Sequence, residues 1–402
     1  MMNTFTKKQT ELVSLFKRNK LKRLNILEGS VRSGKTWISL VLWALWVATM
    51  PNNGSYLMVA KTLTSLKRNC LDLLQSLVGK KHFTYSLSKK EGRLFGRLIY
   101  LEGVNDARAE AKIRGMTLQG AYCDEITLFT EDFFSMLLSR LSERGAKLFG
   151  TTNPDNPLHW FKVTYLDRRN DLNMLVMKFL IDDNTTLDPE YVEDLKKEYV
   201  GVFYLRYILG QWVVAEGLIY PKQAEGFGVV PTDLTMKFRK YVVSIDYGTM
   251  NPCSMGLWGL HRNGIWHRVN EYYHSGRDTN VQMTDEQYYK ELVKLIDGKP
   301  IDKVIIDPSA ASFITTIRNY GKYKVRKADN AVVDGIRNTS KAFQLEKIKI
   351  FDCCEALIKE FSAYRWDESC GEDRPIKESD HACDDLRYFV NTALKGDTYS
   401  FD

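Results

Sequence analysis

Residues 29–36 read GSVRSGKT, a Gly-x-x-x-x-Gly-Lys-Thr pattern that follows the apolar run RLNILE and precedes an apolar, helix-like run over residues 37–50. Strand, glycine-rich loop and helix in that order constrain this chain more than any other feature. A backbone that turns successive amides toward phosphate oxygens needs a strand to deliver the loop and a helix N-terminus to close it. Gly29 and Gly34 supply the curvature, with Ser33 between them. Lys35 is placed to neutralise the β and γ phosphates, and Thr36 to ligate Mg2+. The ligand expected here is ATP. Gln9, ahead of the first strand, stands where an amide can read adenine. Arg32, inside the loop, is the first candidate for stabilising transition-state charge, and Arg140 is a second that would act in trans.

Such a loop also needs a strand that ends on an acid. GAYCDE closes on Asp124 and Glu125. Asp124 is expected to hold Mg2+ through water and Glu125 to polarise the attacking water, the arrangement of ATPases that hydrolyse to do work. The next apolar run, KLFGTTNP, ends on Thr151, Thr152 and Asn153, polar groups placed to sense the γ-phosphate.

Strand-like and helical stretches alternate through the first 210 residues, which predicts an α/β domain with a largely parallel sheet. A helix is expected over residues 189–207. Glycine and proline then cluster up to Pro231, so residues 211–238 read as a linker. From Arg239 the strand pattern restarts with KYVVSIDYG, MGLWGL and IWHRVNEYY, expected to be an antiparallel meander, and helices come later, the last over residues 380–394. With 402 residues the chain is long enough for two cores, and we assign 1–210 and 239–402.

The run 37–50 is too short to span a bilayer, and the first residues lack the pattern of a secretory signal, so a cytoplasmic protein without membrane attachment is expected. The seven cysteines and six histidines are scattered and offer neither a Cys-x-x-Cys pair nor a His-Glu-x-x-His motif, which excludes the common zinc and redox designs. A net charge of +7 is compatible with a nucleic-acid partner and does not by itself require one.

Three aspartates of the second half stand at element ends: Asp246 after YVVSI, Asp307 after KVII, and Asp384 near the start of HACDDLRYF. Hard oxygen ligands at strand ends and on a nearby helix suit one or two Mg2+ or Mn2+ ions in a phosphodiester-cutting site. Asp380 and Asp385 compete for the third position. Helical spacing puts 380, 384 and 387 on one face with His381 beside them, whereas Asp385 is turned away by about 100° and is expected to face solvent or a basic residue. Glu271 is a further candidate ligand.

In this order, GSVRSGKT, CDE, FGTTNP, GQWVVAEGLIYP, SIDYGTMNP, IIDPSA and HACDDLRYF resemble the large terminase subunits of tailed bacteriophages and prophages along nearly the whole chain. The resemblance implies an N-terminal RecA-like P-loop ATPase of the additional-strand type and a C-terminal ribonuclease-H-like nuclease. It implies that Lys35 and Thr36 bind nucleotide, that Asp124 and Glu125 serve Mg2+ and water, that Thr151, Thr152 and Asn153 couple hydrolysis to movement, and that Asp246, Asp307 and Asp384 ligate the nuclease metals. The implied partners are double-stranded DNA, a small terminase subunit, a procapsid portal and further copies of the chain in a ring. Gly120 and Cys123 depart from the bulkier residues expected in the acidic strand. Two other classes are a repair helicase with a nuclease appendage, disfavoured by the paucity of helicase motifs between 150 and 240, and an inactive prophage scaffold, disfavoured by intact Lys35, Glu125 and the three aspartates.

Overall fold

The apolar runs of the first half form eight strands in the computed structural model of the chain, which describes residues 5–51, 54–104, 109–279, 281–368 and 372–394. They are β1 (Leu24–Gly29), β2 (Ser55–Ala60), β3 (Phe83–Ser86), β4 (Glu91–Leu94), β5 (Arg97–Gly103), β6 (Gly120–Cys123), β7 (Lys147–Thr152) and β8 (Met174–Phe179). Their spatial order is β3-β4-β5-β2-β6-β7-β1-β8. From β5 to β8 all neighbours are parallel. The β3–β4 hairpin adds two antiparallel strands at one edge. Parallel pairing brings the C-terminal ends of β1, β6 and β7 to the same edge of the sheet, where α/β folds place their ligands.

The helix Lys35–Thr49 covers one face of this sheet. Trp43 and Trp46 lie buried beneath it and pack on Phe149 with ring centroids 5.7 and 5.5 Å away. Such pairs add about 0.5–1.5 kcal/mol beyond area burial. They also explain Gly120. A Cβ there would stand 2.6 Å from Cη2 of Trp46, so the acidic strand gives up a side chain to admit the indole. The helix expected over 189–207 is two helices, Pro189–Glu198 and Gly201–Tyr207, interrupted at Tyr199 and Val200, and Gly201, which opens the second, has φ of 56°.

The second half builds β9 (Val229–Val230), β10 (Phe238–Asp246), β11 (Cys253–His261), β12 (Trp266–His274), β13 (Ile301–Ile306), β14 (Val325–Lys327) and β15 (Ile348–Phe351), in the order β14-β13-β10-β11-β12-β15-β9. The meander β10-β11-β12 is antiparallel, and β13 and β14 then run parallel to β10. Ile245 stands opposite Ile306, so Asp246 and Asp307 leave the sheet side by side. The helix His381–Phe389 crosses this sheet, Phe389 stacking on Trp258 with centroids 4.0 Å apart.

The chain divides into two compact units, residues 1–214 and 215–402. Most of the 211–238 stretch belongs to the second: it contributes the short helix Pro221–Ala224 and strand β9, whose Val229 and Val230 pair with Ile350 and Phe351. Among the described residues no helix is long and apolar enough to cross a membrane. Cys70, Cys123, Cys253, Cys354 and Cys383 are buried free thiols and Cys353 an exposed one, while Cys370 lies outside the described residues.

Candidate functional site

The loop between β1 and the helix Lys35–Thr49 is held in a conformation few residues accept. Gly29, Arg32 and Gly34 have φ of 132°, 53° and 82°, and a Cβ on Gly29 would collide with the carbonyl oxygen of Phe179. Neighbouring backbone fixes the loop from the β8 side: Ser30 N donates to Phe179 O and Val31 N to Tyr207 O. Ser33 Oγ closes it from within by donating to Ser30 O at 2.9 Å.

Lys35 is buried and donates to Ser30 O at 2.7 Å and to Asn153 Oδ1 at 2.9 Å. Asn153 in turn donates from its backbone and its amide to Glu125 Oε2, at 3.1 and 2.9 Å. The P-loop lysine, the acid after β6 and the amide after β7 therefore form one relay. Burial lowers the Lys35 pKa, opposed by the charges of Glu125 and Asp124. Burial pushes Glu125 up to about 7, with Asp124 adding to the rise and Lys35 opposing it. Glu125 adopts a left-handed φ of 55°, which turns it out of the strand line. Asp124 is also raised by burial and accepts from Asn69 Nδ2 and Thr151 Oγ1, both at 3.1 Å.

At the tip of the second sheet, Tyr388 Oη lies 2.9 Å from Asp307 Oδ2 and 3.3 Å from Asp246 Oδ1, so one hydroxyl touches both carboxylates. His381 Nδ1 lies 2.7 Å from Asp246 Oδ2. Burial raises Asp246 to about 6, with Asp384 adding to the rise and the His381 hydrogen bond opposing it. Burial opposes the His381 cation, but Asp246, Asp380 and Glu360 outweigh it and lift its pKa. Asp307 is lowered: burial works against its charge, and hydrogen bonds from Ser309, Tyr388 and Asn330 overcome it. Asp384 Oδ1 pairs with Arg387 Nη2 at 2.9 Å, and its Oδ2 lies 3.5 Å from Lys377 Nζ. Among the described residues no three acid, histidine or cysteine side chains already surround one point as a metal cage would.

A family profile described as the N-terminal part of the terminase large subunit, T4likevirus-type, matches residues 26–227, just over half of the chain. The large terminase of a thermophilic bacteriophage is 40% identical over 98% of this chain and 100% of its own, and superposes with a TM-score of 0.91. This chain belongs to the terminase large-subunit family. The thermophilic-phage protein in complex with ADP superposes on this terminase with a TM-score of 0.89, at 40% identity over 97% of this chain and 100% of its own. The large terminase subunit of Escherichia phage T5 is 22% identical over 256 residues, 59% of this chain and 56% of that relative. The match thus spans little more than half of the T5 protein.

Of the residues expected from the sequence to hold nucleotide, the fold brings together Gly29, Ser33, Gly34, Lys35, Asp124 and Glu125, with Asn153 between the last and Lys35. Thr36 is the second residue of the helix that Lys35 opens, its carbonyl accepting from Ser39 Oγ. Gln9 is buried with Nε2 against the Gly34 backbone, while its Oε1 accepts from Thr6 N at 3.0 Å. Thr151 touches Asp124, whereas Thr152 Oγ1 bonds Thr127 Oγ1 and Asn153 O. The Arg32 side chain is exposed, and its carbonyl accepts from Asn184 Nδ2 at 2.8 Å. Arg140 is at the other edge of the sheet: its carbonyl accepts from Leu118 N ahead of β6, and its Nη1 donates to Arg114 O.

Asn69 and Asn184 carry no sequence signal. Neither lies in a motif, and only the fold brings them to Asp124 and the loop. Of the two settings expected for Asp385, solvent is corrected and the basic residue is found. The carboxylate is fully buried, held by Ser244 Oγ at 2.8 Å, by Ser254 Oγ and by Arg268 Nη1 and Nη2 at 2.5 and 3.0 Å. Glu271 is committed elsewhere, accepting from Arg268 Nη2 at 3.1 Å and Ala356 N at 2.6 Å. Asp380, at the N-cap of the helix, has its Oδ2 3.4 Å from Lys377 Nζ.

Proposed function

We propose that this chain is the motor and the nuclease of a viral DNA-packaging machine. Its first unit hydrolyses ATP to drive double-stranded DNA into a procapsid. Its second cuts concatemeric DNA with the help of divalent metal. The observation that carries the first reading is the relay Lys35–Asn153–Glu125. It ties the phosphate-binding lysine to the water-activating acid through the strand tip expected to sense the γ-phosphate. Phosphate would draw Lys35 away from Ser30 O and Asn153, and the freed Asn153 amide would then hold Glu125 alone, which gives β7 a mechanical report of nucleotide state. Glu125, once ionised, takes up a proton from the attacking water. Thr36 and Asp124 would hold Mg2+, Arg32 would meet developing charge, and Gln9 would lie near the base. One strand, β7, stands between the acidic strand β6 and the P-loop strand β1, which supports an additional-strand, RecA-like assignment. The thermophilic-phage terminase has been crystallised with ADP and with ATP-γ-S, and we carry nucleotide use over to this chain at about 40% identity.

For the second unit the order β14-β13-β10-β11-β12, with its antiparallel meander, supports a ribonuclease-H-like nuclease. The donors suit a hard cation: two carboxylates reach one hydroxyl, a third stands one helical turn from Asp380, and no thiolate is among them. Asp246, Asp307 and Asp384 would hold one or two Mg2+ or Mn2+ ions, which supply a Lewis acid and lower the pKa of a bound water. Tyr388 spaces the first two carboxylates, and Arg387 and Lys377 balance the third. DNA, a small terminase subunit, the portal and neighbouring copies in a ring are the partners this reading requires.

Glu125→Gln tests the motor. Nucleotide binding is expected to persist while turnover falls by about 10²–10⁴-fold, the usual contribution of a positioned general base. Turnover at the parental rate would remove Glu125, and with it the relay, from the account.

A further inference from the structure

We infer that the edge strand β14 and the turn before it form a docking surface for the phosphate backbone of duplex DNA, delivering it to Asp246 and Asp307. Between Asp307 and Asp329 the sequence contains Arg318, Lys322, Lys324, Arg326 and Lys327 and no acid. Lys322, Lys324, Arg326 and Lys327 are all exposed, and among the described residues no carboxylate pairs with any of them. β14 is the terminal strand of its sheet and hydrogen-bonds only to β13. Its register sets Arg326 opposite Ile305 and Lys327 opposite Ile306, the residue before Asp307. The strand therefore carries its cations along the sheet edge to the carboxylates. Past the ends of β10 and β13, the second of them β14's neighbour, lies a cleft of about 400 Å3 between the loops that follow those two acids, residues 247–251 and 309–312.

Lys324 immediately precedes β14 and Arg326 lies within it, two residues on and so about 6.6 Å along an extended chain at ~3.3 Å per residue. That is roughly the axial rise of two phosphates along one strand of a duplex, about 3.4 Å each. An edge strand also benefits from lysine as protection against pairing with other chains. Protection needs few charges. Five cations unbalanced over 21 residues make a field suited to a polyanion. Contacts of this kind are to backbone and carry no sequence preference.

The inference uses the nuclease reading only to say where the duplex leads, and its test contains no divalent metal, so the two can fail separately. The full chain carrying Lys324→Gln and Arg326→Gln is titrated into a fluorescent duplex with chelator present, over about 50–200 mM salt. A control chain carries Lys80→Gln and Lys81→Gln, an exposed pair ahead of edge strand β3 with the same loss of charge. We expect the β14 variant to bind about tenfold to hundredfold more weakly near 0.1 M salt, and the slope of log K against log salt to fall by about 1.8, or about 0.9 per lost phosphate contact. The control should match the parent. Equal losses in the two variants would reduce the effect to net charge and overturn the inference. So would parental DNA binding together with altered self-association, which would make the edge a protein contact.

Discussion

Asp384 and Asp385 are neighbours in sequence with opposite settings. Asp384 lies on the helix face that carries His381 and Tyr388, balanced by Arg387 and Lys377, whereas Asp385 is sealed against Arg268, Ser244 and Ser254. Asp384→Ala is expected to abolish metal-dependent cleavage while ATP turnover persists, and because it leaves the buried Arg387 without its carboxylate the second unit should also melt earlier. Asp385→Ala strands a buried guanidinium and should cost about 3–5 kcal/mol, read as earlier melting of the second unit. The different faces of the two residues were legible from helical periodicity. The burial of Asp385 was not, because its partner Arg268 lies 117 positions away on a strand. A third acid shows itself through pH. Glu360 accepts from Ala382 N and Cys383 N at the start of the same helix, and burial pushes it up to about 7. Its folded pKa lies above the unfolded value of about 4.5, so the folded state binds the proton more tightly and loses stability as pH rises from about 4.5 to 7. Glu360→Gln should remove that loss, raising stability above pH 7 by on the order of 3 kcal/mol and little at pH 5. Melting curves at the two pH values check this, and an equal shift at both would refute it.

At the scale of elements, the strands of both sheets were readable wherever apolar runs were bounded by charge and glycine, and the P-loop because its chemistry demands a fixed spacing. The stretch 211–238 was harder. Its only strand is two residues long and pairs with Ile350 and Phe351, more than a hundred residues on, so its glycines and prolines outweighed any periodic signal. The break between Glu198 and Gly201 escaped for a similar reason, since the polarity around it suits a helix and only the left-handed glycine marks the interruption. Gly120 illustrates the converse: a departure from the expected strand composition that packing explains. Gly120→Ala would press a methyl into the Trp46 indole, at a cost of about 1–3 kcal/mol. The first unit should melt several degrees earlier, while a compensating Trp46→Phe substitution should recover part of the loss. No recovery would mean that the glycine serves something other than the indole.

For the whole molecule, the two units, residues 1–214 and 215–402, each with its own sheet, are expected to survive limited proteolysis with first cleavage near residue 214 rather than evenly through 211–238. Fragments that begin near residue 239 would mean that strand β9 contributes little to the second unit. The proposed function requires two chemically separate engines on one chain. It is tested most directly by measuring ATP turnover and metal-dependent plasmid cleavage side by side for Lys35→Ala and Asp384→Ala. Lys35→Ala is expected to lose turnover and keep cleavage, because the phosphates lose their principal point charge while the second unit is untouched, and Asp384→Ala to do the reverse. Normal ATP turnover in Lys35→Ala, or undiminished cleavage in Asp384→Ala, would contradict it.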